Sequence, residues 1–385
     1  MNDSFLERRL SELSAGDQSV PLAYDDLRER ARDALQQISY DYAVAAAGSG
    51  DTARANRTAF RRYRIVTRVL RGVTDPTIDV ELFDQTAAAP IVLAPIGGQS
   101  RYHDEGELAT ARAAGTLGVP MALSTSASHS IEAVADVSDA GSQFFQLYWP
   151  TDWKVAKSLV ERAESARYDA IVLTVDSQYP TLRRQVIPND AEETHEPTRG
   201  VLETDPVVRA RAEATDESVP SFIQSLEVDT GLTWDALDKL QKWTDLPIVL
   251  KGILAADDAR LAAKRGIDGL VVSNHGGREI NGEVAALAQL PAIVEAVGDD
   301  LTVFMDSGIR SGADVFKALA LGADGVLVGR PYLFALAVAG ERGVYETVLN
   351  CLAELESVMG SSGYSTVQEI DRDALIKRPS TCRDR

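Results

Sequence analysis

The chain has 385 residues, 45% hydrophobic, 25% charged and only 6% aromatic, and its 58 acidic against 39 basic side chains give a net charge of −19. An apolar share of that size excludes wholesale disorder, and the acidic surplus disfavours nucleic acid and anionic membrane as partners. Only eight of the basic residues are lysine, none before Lys154, a balance suited to concentrated salt, where screening weakens self-repulsion.

The N-terminal sequence MNDSFLERRLSEL has no apolar run and does not read as a signal peptide. Residues 1–89 read as a mostly helical extension, with an arginine-rich patch at 60–71 (FRRYRIVTRVLR). From residue 90 to 385, short β-branched runs alternate with amphipathic stretches. Strands are expected at 90–96, 120–124, 142–148, 169–176, 247–253, 269–274, 302–308 and 325–329, and helices at 105–118, 152–167, 233–244, 255–266 and 311–321. Near-continuous apolar strands belong to a parallel sheet buried on both faces, and eight βα units count to a closed (β/α)8 TIM barrel, an α/β fold that runs about 250 residues before additions. An open doubly wound sheet is the competing architecture. A polar, acidic insertion at 185–232 follows the fourth strand and falls on the active-site face of such a barrel, either as a lid or as a solvated loop.

The hydrophobic stretch 318–340 carries Asp324, Arg330 and Pro331, which argues for helix, strand and helix in a soluble protein rather than a membrane span. Cys351 and Cys382 cannot form a disulfide framework in a chain this long, so a reducing cytoplasm is the expected location.

A (β/α)8 barrel builds its site at the C-terminal ends of its strands. Those ends carry Gly97, Ser124, Gln146, Tyr148, Thr174, Asp176, Lys251, Ser273, His275, Arg278, Asp306, Arg310, Gly329 and Arg330, far more polarity than a structural barrel needs. In LVVSNHGGR (270–278) a buried strand delivers His275 into a Gly-Gly turn with Arg278 three residues on. A histidine titrating near neutrality suits proton abstraction, and an arginine clamps a carboxylate through two parallel hydrogen bonds. Asp176, closing LTVD, either orients His275 or caps its own turn. Lys251 ends an apolar strand and needs an anionic partner, an internal carboxylate or an electron-rich ring. Glycines with Arg310 and Arg330 after strands seven and eight describe a barrel phosphate site, for a substrate or a cofactor. His103, His129 and His195 suit surface roles, and no ligand spacing points to a metal.

Taken together, APIG, LST, FFQLY, LTVD, LPIVLKGI, VVSNHGGR, MDSGIRSGADVFKALALGA and VGRP make the chain resemble the FMN-dependent α-hydroxy-acid oxidases and dehydrogenases over about residues 40–363. That family includes glycolate oxidase, lactate oxidase, lactate 2-monooxygenase and flavocytochrome-type lactate dehydrogenases. FFQLYWP and the DPV at 205–207 look closest to the lactate 2-monooxygenase branch.

The resemblance implies FMN over the barrel mouth. Its ring would lie against Ala94, Pro95, Ile96 and Gly97, with Ser124, Gln146, Thr174 and Lys251. Its ribityl chain would meet Ser273 and Asp306, and its phosphate Ser307, Gly308, Ile309, Arg310, Gly329 and Arg330. His275 would be the base, paired with Asp176. Arg278 and Arg183 would hold the carboxylate of a lactate-like L-2-hydroxy acid with help from Tyr42 and Tyr148, and Ser126 would occupy a specificity position. Electrons would pass on to O2 or another acceptor, and the family's habit implies a homotetramer. The rivals are another FMN barrel enzyme, such as the flavin-dependent isopentenyl diphosphate isomerase, and a non-catalytic flavin-binding protein.

The chain departs from the family at several points. Tyr42 is followed by AVAAAGSGD where relatives have a tighter Gly-Gly-Ala, which leaves Tyr40 as an alternative. SQYPTLRRQ lacks the glycine before the arginine, which leaves Arg184 beside Arg183. Gly97 stands where many oxidases have alanine, and Ser126 where some relatives have tryptophan.

Overall fold

The computed structural model describes residues 4–83, 85–138, 141–182 and 199–378; Arg183, Arg184, His195 and Cys382 lie outside them. Eight strands, β1 (Ile91–Leu93), β2 (Met121–Ser124), β3 (Gln143–Leu147), β4 (Ala170–Thr174), β5 (Ile248–Ile253), β6 (Gly269–Val272), β7 (Thr302–Met305) and β8 (Gly325–Val328), close into a barrel in chain order. All pairings are parallel, including β8 on β1. The expected TIM barrel is therefore present. Its strands read as apolar runs because both faces are covered: every residue of β3 and of β4 is buried.

Some of the intervening helices start where short polar side chains accept the first free N–H groups. Asp152 caps Trp153–Ser165 and Ser311 caps Gly312–Ala320. The helix expected over 233–244 is shorter, Asp235–Leu240, and has no such cap.

Residues before the barrel form four helices, Phe5–Ser14, Tyr24–Ala34, Gln37–Val44 and Asp51–Arg61, and three short strands. The arginine-rich patch is not one helix. Its Tyr63–Ile65 segment alternates, with Arg64 outward and Tyr63 and Ile65 against the core, and pairs with Leu375–Lys377. The hairpin Val80–Leu82/Gln85–Ala87 carries Phe83 into the N-terminal end of the barrel. There its ring lies 5.9 Å from both Phe144 and Phe304, an aromatic plug. The first helix docks on the long helical segment Arg330–Ser362, which breaks at Ala339 and Gly340; Glu356 accepts the N–H groups of Phe5 and Leu6.

The described part of the insertion holds three helices, Gly200–Glu203, Pro206–Ala214 and Val219–Ser225. The fully buried Asp205 anchors it. Its carboxylate accepts from Val207 and Val208 N–H and from Ser158 Oγ, and pairs with Arg162.

His129 is tied down rather than placed at the surface, with Nδ1 2.9 Å from the buried Glu107. His103 is partly covered too, packed where a side chain on Gly340 would otherwise sit. Among the described residues no helix is long and apolar enough to cross a membrane.

Candidate active site at the barrel mouth

A cavity of about 540 Å³ opens at the C-terminal ends of the strands. Of the residues expected there, Tyr42, Ala94, Pro95, Ile96, Gly97, Ser124, Ser126, Tyr148, Lys251, His275, Arg278, Asp306, Ser307, Gly308, Ile309, Arg310, Gly329 and Arg330 line it. Gln146, Thr174, Asp176 and Ser273 stand just behind. Gln146 Nε2 donates to Thr174 Oγ1 at 2.9 Å, and Ser273 Oγ accepts from Lys251 Nζ and His275 N–H, each at 3.0 Å. Tyr42 reaches the cavity, whereas Tyr40 is buried, with its hydroxyl accepting from Arg28 and its ring stacked on Phe334.

The register of β4 on β5 sets Thr174 opposite Lys251 and so brings Asp176 beside the lysine. Lys251 Nζ lies 3.2 Å from Asp306 and 4.0 Å from Asp176. Burial alone would push Lys251 down, but Asp306 and Asp176 outweigh it and hold its pKa above the ordinary value. Burial likewise opposes charge on Asp176, yet Lys251 and His275 leave its pKa below the ordinary value. Asp176 Oδ1 meets His275 Nδ1 at 2.9 Å. This approach depends on glycine at 252, where a Cβ would lie 2.5 Å from that of Asp176. The turn after β6 runs left-handed through His275 (φ 55°), Gly276 and Gly277. Ser307, itself at φ 75°, stitches it to the turn after β7 by accepting from Gly276 N–H at 2.9 Å. A left-handed histidine is costly and persists only where its surroundings fix it.

The other side of the mouth collects arginines. The last carbonyls of the helix Gln37–Val44 need donors. Arg278 donates to the carbonyls of Tyr42 and Ala45, and Arg330 to those of Ala43, Ala45 and Gly276. Two barrel arginines thereby fix Tyr42 in the mouth, although the sequence after it departs from the family. Burial first, and then Arg278 and Arg310 nearby, push Arg330 down to about 9. Burial is also the main reason Arg310 falls below its ordinary value. Arg310 Cζ lies 4.5 Å over the Tyr24 ring, and its buried Nε has no hydrogen-bond partner among the described residues. Charges of one sign gathered in this way describe a seat for an anion.

The sequence profile of the FMN-dependent dehydrogenases matches residues 31–377. The chain belongs to that family. It is 40% identical to the FMN-dependent alpha-hydroxy acid dehydrogenase qulF of Penicillium citrinum over 91% of this chain and 89% of that one. It is 37% identical to an L-lactate oxidase of Lysinibacillus sphaericus (strain C3-41) over 93% of each. A crystal structure of mandelate oxidase superposes with a TM-score of 0.82 at 39% identity, covering 93% of this chain and 98% of that one.

FMN is the cofactor of this family, and the residues present fit it. The under-neutralised Arg310 and Arg330 suit its phosphate, and Lys251 supplies a fixed cation for an electron-rich ring. Gly97 has a packing reason of its own: a Cβ there would lie 2.8 Å from that of Ser126.

The mouth also contains residues not expected from the sequence: Arg101, Tyr102, Ser177, Arg199, Val228 and Glu279. Burial pushes Tyr102 up to about 12, and Tyr148 is raised for the same reason, so both stay protonated hydrogen-bond donors. Their signal was positional, since loops that follow barrel strands face the mouth.

Proposed function

We propose that this FMN-dependent oxidoreductase converts an L-2-hydroxy acid, lactate-like at its reacting carbon, to the 2-oxo acid. His275, backed by Asp176, lines one cavity with Arg278, and that arrangement carries the reading. With Nδ1 held by Asp176, His275 presents Nε2 for the substrate's proton, and the Asp176 carboxylate stabilises the imidazolium that results. Arg278, together with Arg183, neutralises the substrate carboxylate, and the Tyr42 and Tyr148 hydroxyls orient the substrate. Lys251, held protonated by Asp306 and Asp176, would offer bound FMN a fixed positive charge. Bound FMN supplies the acceptor for the electron pair that leaves the α-carbon. The relatives' names, with lactate, 4-hydroxymandelate and glycolate oxidases among them, favour this over an isomerase or a non-catalytic flavin protein.

The electrons pass on to O2 or another acceptor. The enzyme works as a homotetramer in a salt-rich cytoplasm. The acidic, lysine-poor composition supports the salt, and sedimentation and thermal melts across a potassium chloride series test both points.

The deciding experiment is anaerobic absorbance of the yellow protein mixed with L-lactate and other L-2-hydroxy acids, then with air. Bleaching is the expected outcome, and failure of every L-2-hydroxy acid to bleach the flavin would overturn the reading. Fast recolouring in air marks an oxidase or monooxygenase, and slow recolouring a dehydrogenase with another acceptor.

A further inference from the structure

We infer that the preferred substrate is a 2-hydroxy acid bearing a second carboxylate, and that Arg101 is the residue that selects it; the inference rests on the hydroxy-acid reading above. Arg101 lies in the short helical turn Gln99–Arg101 after β1 and lines the cavity. Its Cζ sits 4.7 Å from the centroid of the Tyr42 ring, and Arg278 Cζ lies 5.1 Å from the same centroid. The two guanidinium carbons can be no further apart than those two distances together, a span that a four- or five-carbon diacid bridges.

Arg101 is available for such a role. Asp104 and Glu105 follow it closely in the chain, yet Glu105 pairs with Arg112, and Arg101 forms no ion pair among the described residues. In a protein with net charge −19, an arginine left unpaired inside a cavity stands out. Arg199 adds a second cation from the insertion, its side chain likewise without an ion pair among the described residues. Two carboxylates also line this mouth: Asp306, paired with Lys251, and Glu279, which accepts from Thr181 Oγ1 at 2.6 Å.

Part of the lining agrees. Ser126 and Ser177 are small and polar, and Val228 is the one aliphatic side chain that the described insertion adds. A neutral alkyl tail would desolvate Arg101 without return, whereas a carboxylate tail gains a charge-assisted, two-point hydrogen bond. With its first carboxylate on Arg278, the diacid would direct its α-carbon to His275 and its tail to Arg101.

The test compares rates of anaerobic flavin bleaching by L-malate and L-2-hydroxyglutarate with those by L-2-hydroxybutyrate and (S)-mandelate in the FMN-loaded native protein. The diacids should lead by about tenfold to a hundredfold in kcat/KM, the worth of one hydrogen bond to a charged group. Succinate should likewise compete with substrate better than butyrate does, a comparison that needs no variant. Arg101→Leu should collapse the diacid-to-monoacid ratio towards one, and Arg101→Lys should retain part of it, with flavin absorbance reporting cofactor content in each. Bleaching by monoacids with no diacid preference in the native protein overturns the role of Arg101 and leaves the hydroxy-acid reading standing. Failure of every 2-hydroxy acid to bleach the flavin removes both.

Discussion

The two sides of the barrel mouth solve opposite electrostatic problems. Around β4, β5 and β6 each buried charge meets its opposite: Lys251 has Asp306 and Asp176, and Asp176 has His275. Around β7 and β8 like charges gather; among the described residues Arg330 bonds only to carbonyls and Arg310 leaves one nitrogen unmatched. The first side is preorganised by the chain itself, which is what proton transfer at a fixed place requires. The second gathers like charges that an incoming phosphate would offset, so on the proposed reading its interactions favour the loaded state.

The contrast can be broken most sharply at His275. Its replacement by Ala should slow flavin bleaching by substrate by about 10²–10⁴-fold, the usual worth of a positioned base, while FMN stays bound; stopped-flow absorbance reads both. Unchanged bleaching would remove the assigned base.

Asp176→Asn attacks the paired side as a structure. Breaking a buried pair costs about 3 kcal/mol, so the melting temperature should fall at neutral pH and bleaching should slow as well. Because the folded pKa of Asp176 lies below its unfolded value of about 3.9, its stabilisation is complete above that pH and is lost as pH falls through the folded value. The gap between native and variant should therefore close in acid.

Arg310→Met should separate the two sides. FMN affinity should drop about tenfold to a hundredfold, whereas the apoprotein should melt no lower than the native apoprotein, having lost a buried charge that Arg57 and Arg330 repel. An apoprotein melting several degrees lower would show that Arg310 is structural.

The smallest effect is expected at Glu283, raised to about 6 by burial first and then by Asp176 and Glu279. A carboxyl whose folded pKa is raised destabilises once it is ionised. Glu283→Gln should thus raise the melting temperature slightly above pH 7 and change nothing below pH 5.

The barrel was legible because strands buried on both faces leave apolar runs, and the strand-end polarity then marked the mouth. His275, Asp176 and Lys251 were readable as residues, but their pairing needed the β4–β5 register and Gly252. Arg101, Tyr102 and Arg199 escaped because connecting loops carry no periodicity and nothing in the local sequence ties them to Tyr42. The Tyr63–Ile65 strand escaped for a related reason: its partner lies more than three hundred residues away, and only alternation over three residues betrays it. The insertion kept its character hidden in the same way, since only the fold brings Asp205 to Ser158 and Arg162.

The capture of a helix end by two barrel arginines has a thermodynamic corollary. Arg330 holds the carbonyls of Ala43 and Ala45 with the same guanidinium that faces the arginine cluster. If Arg330 also takes the cofactor phosphate, as proposed, docking of the N-terminal segment and cofactor uptake share a group, and linkage makes their coupling reciprocal: whatever one gains from the other, the other gains in equal measure. Protease cleavage within the first sixty residues becomes a gauge of occupancy, slowing as the flavin is taken up. A cut in that segment should loosen the flavin in turn.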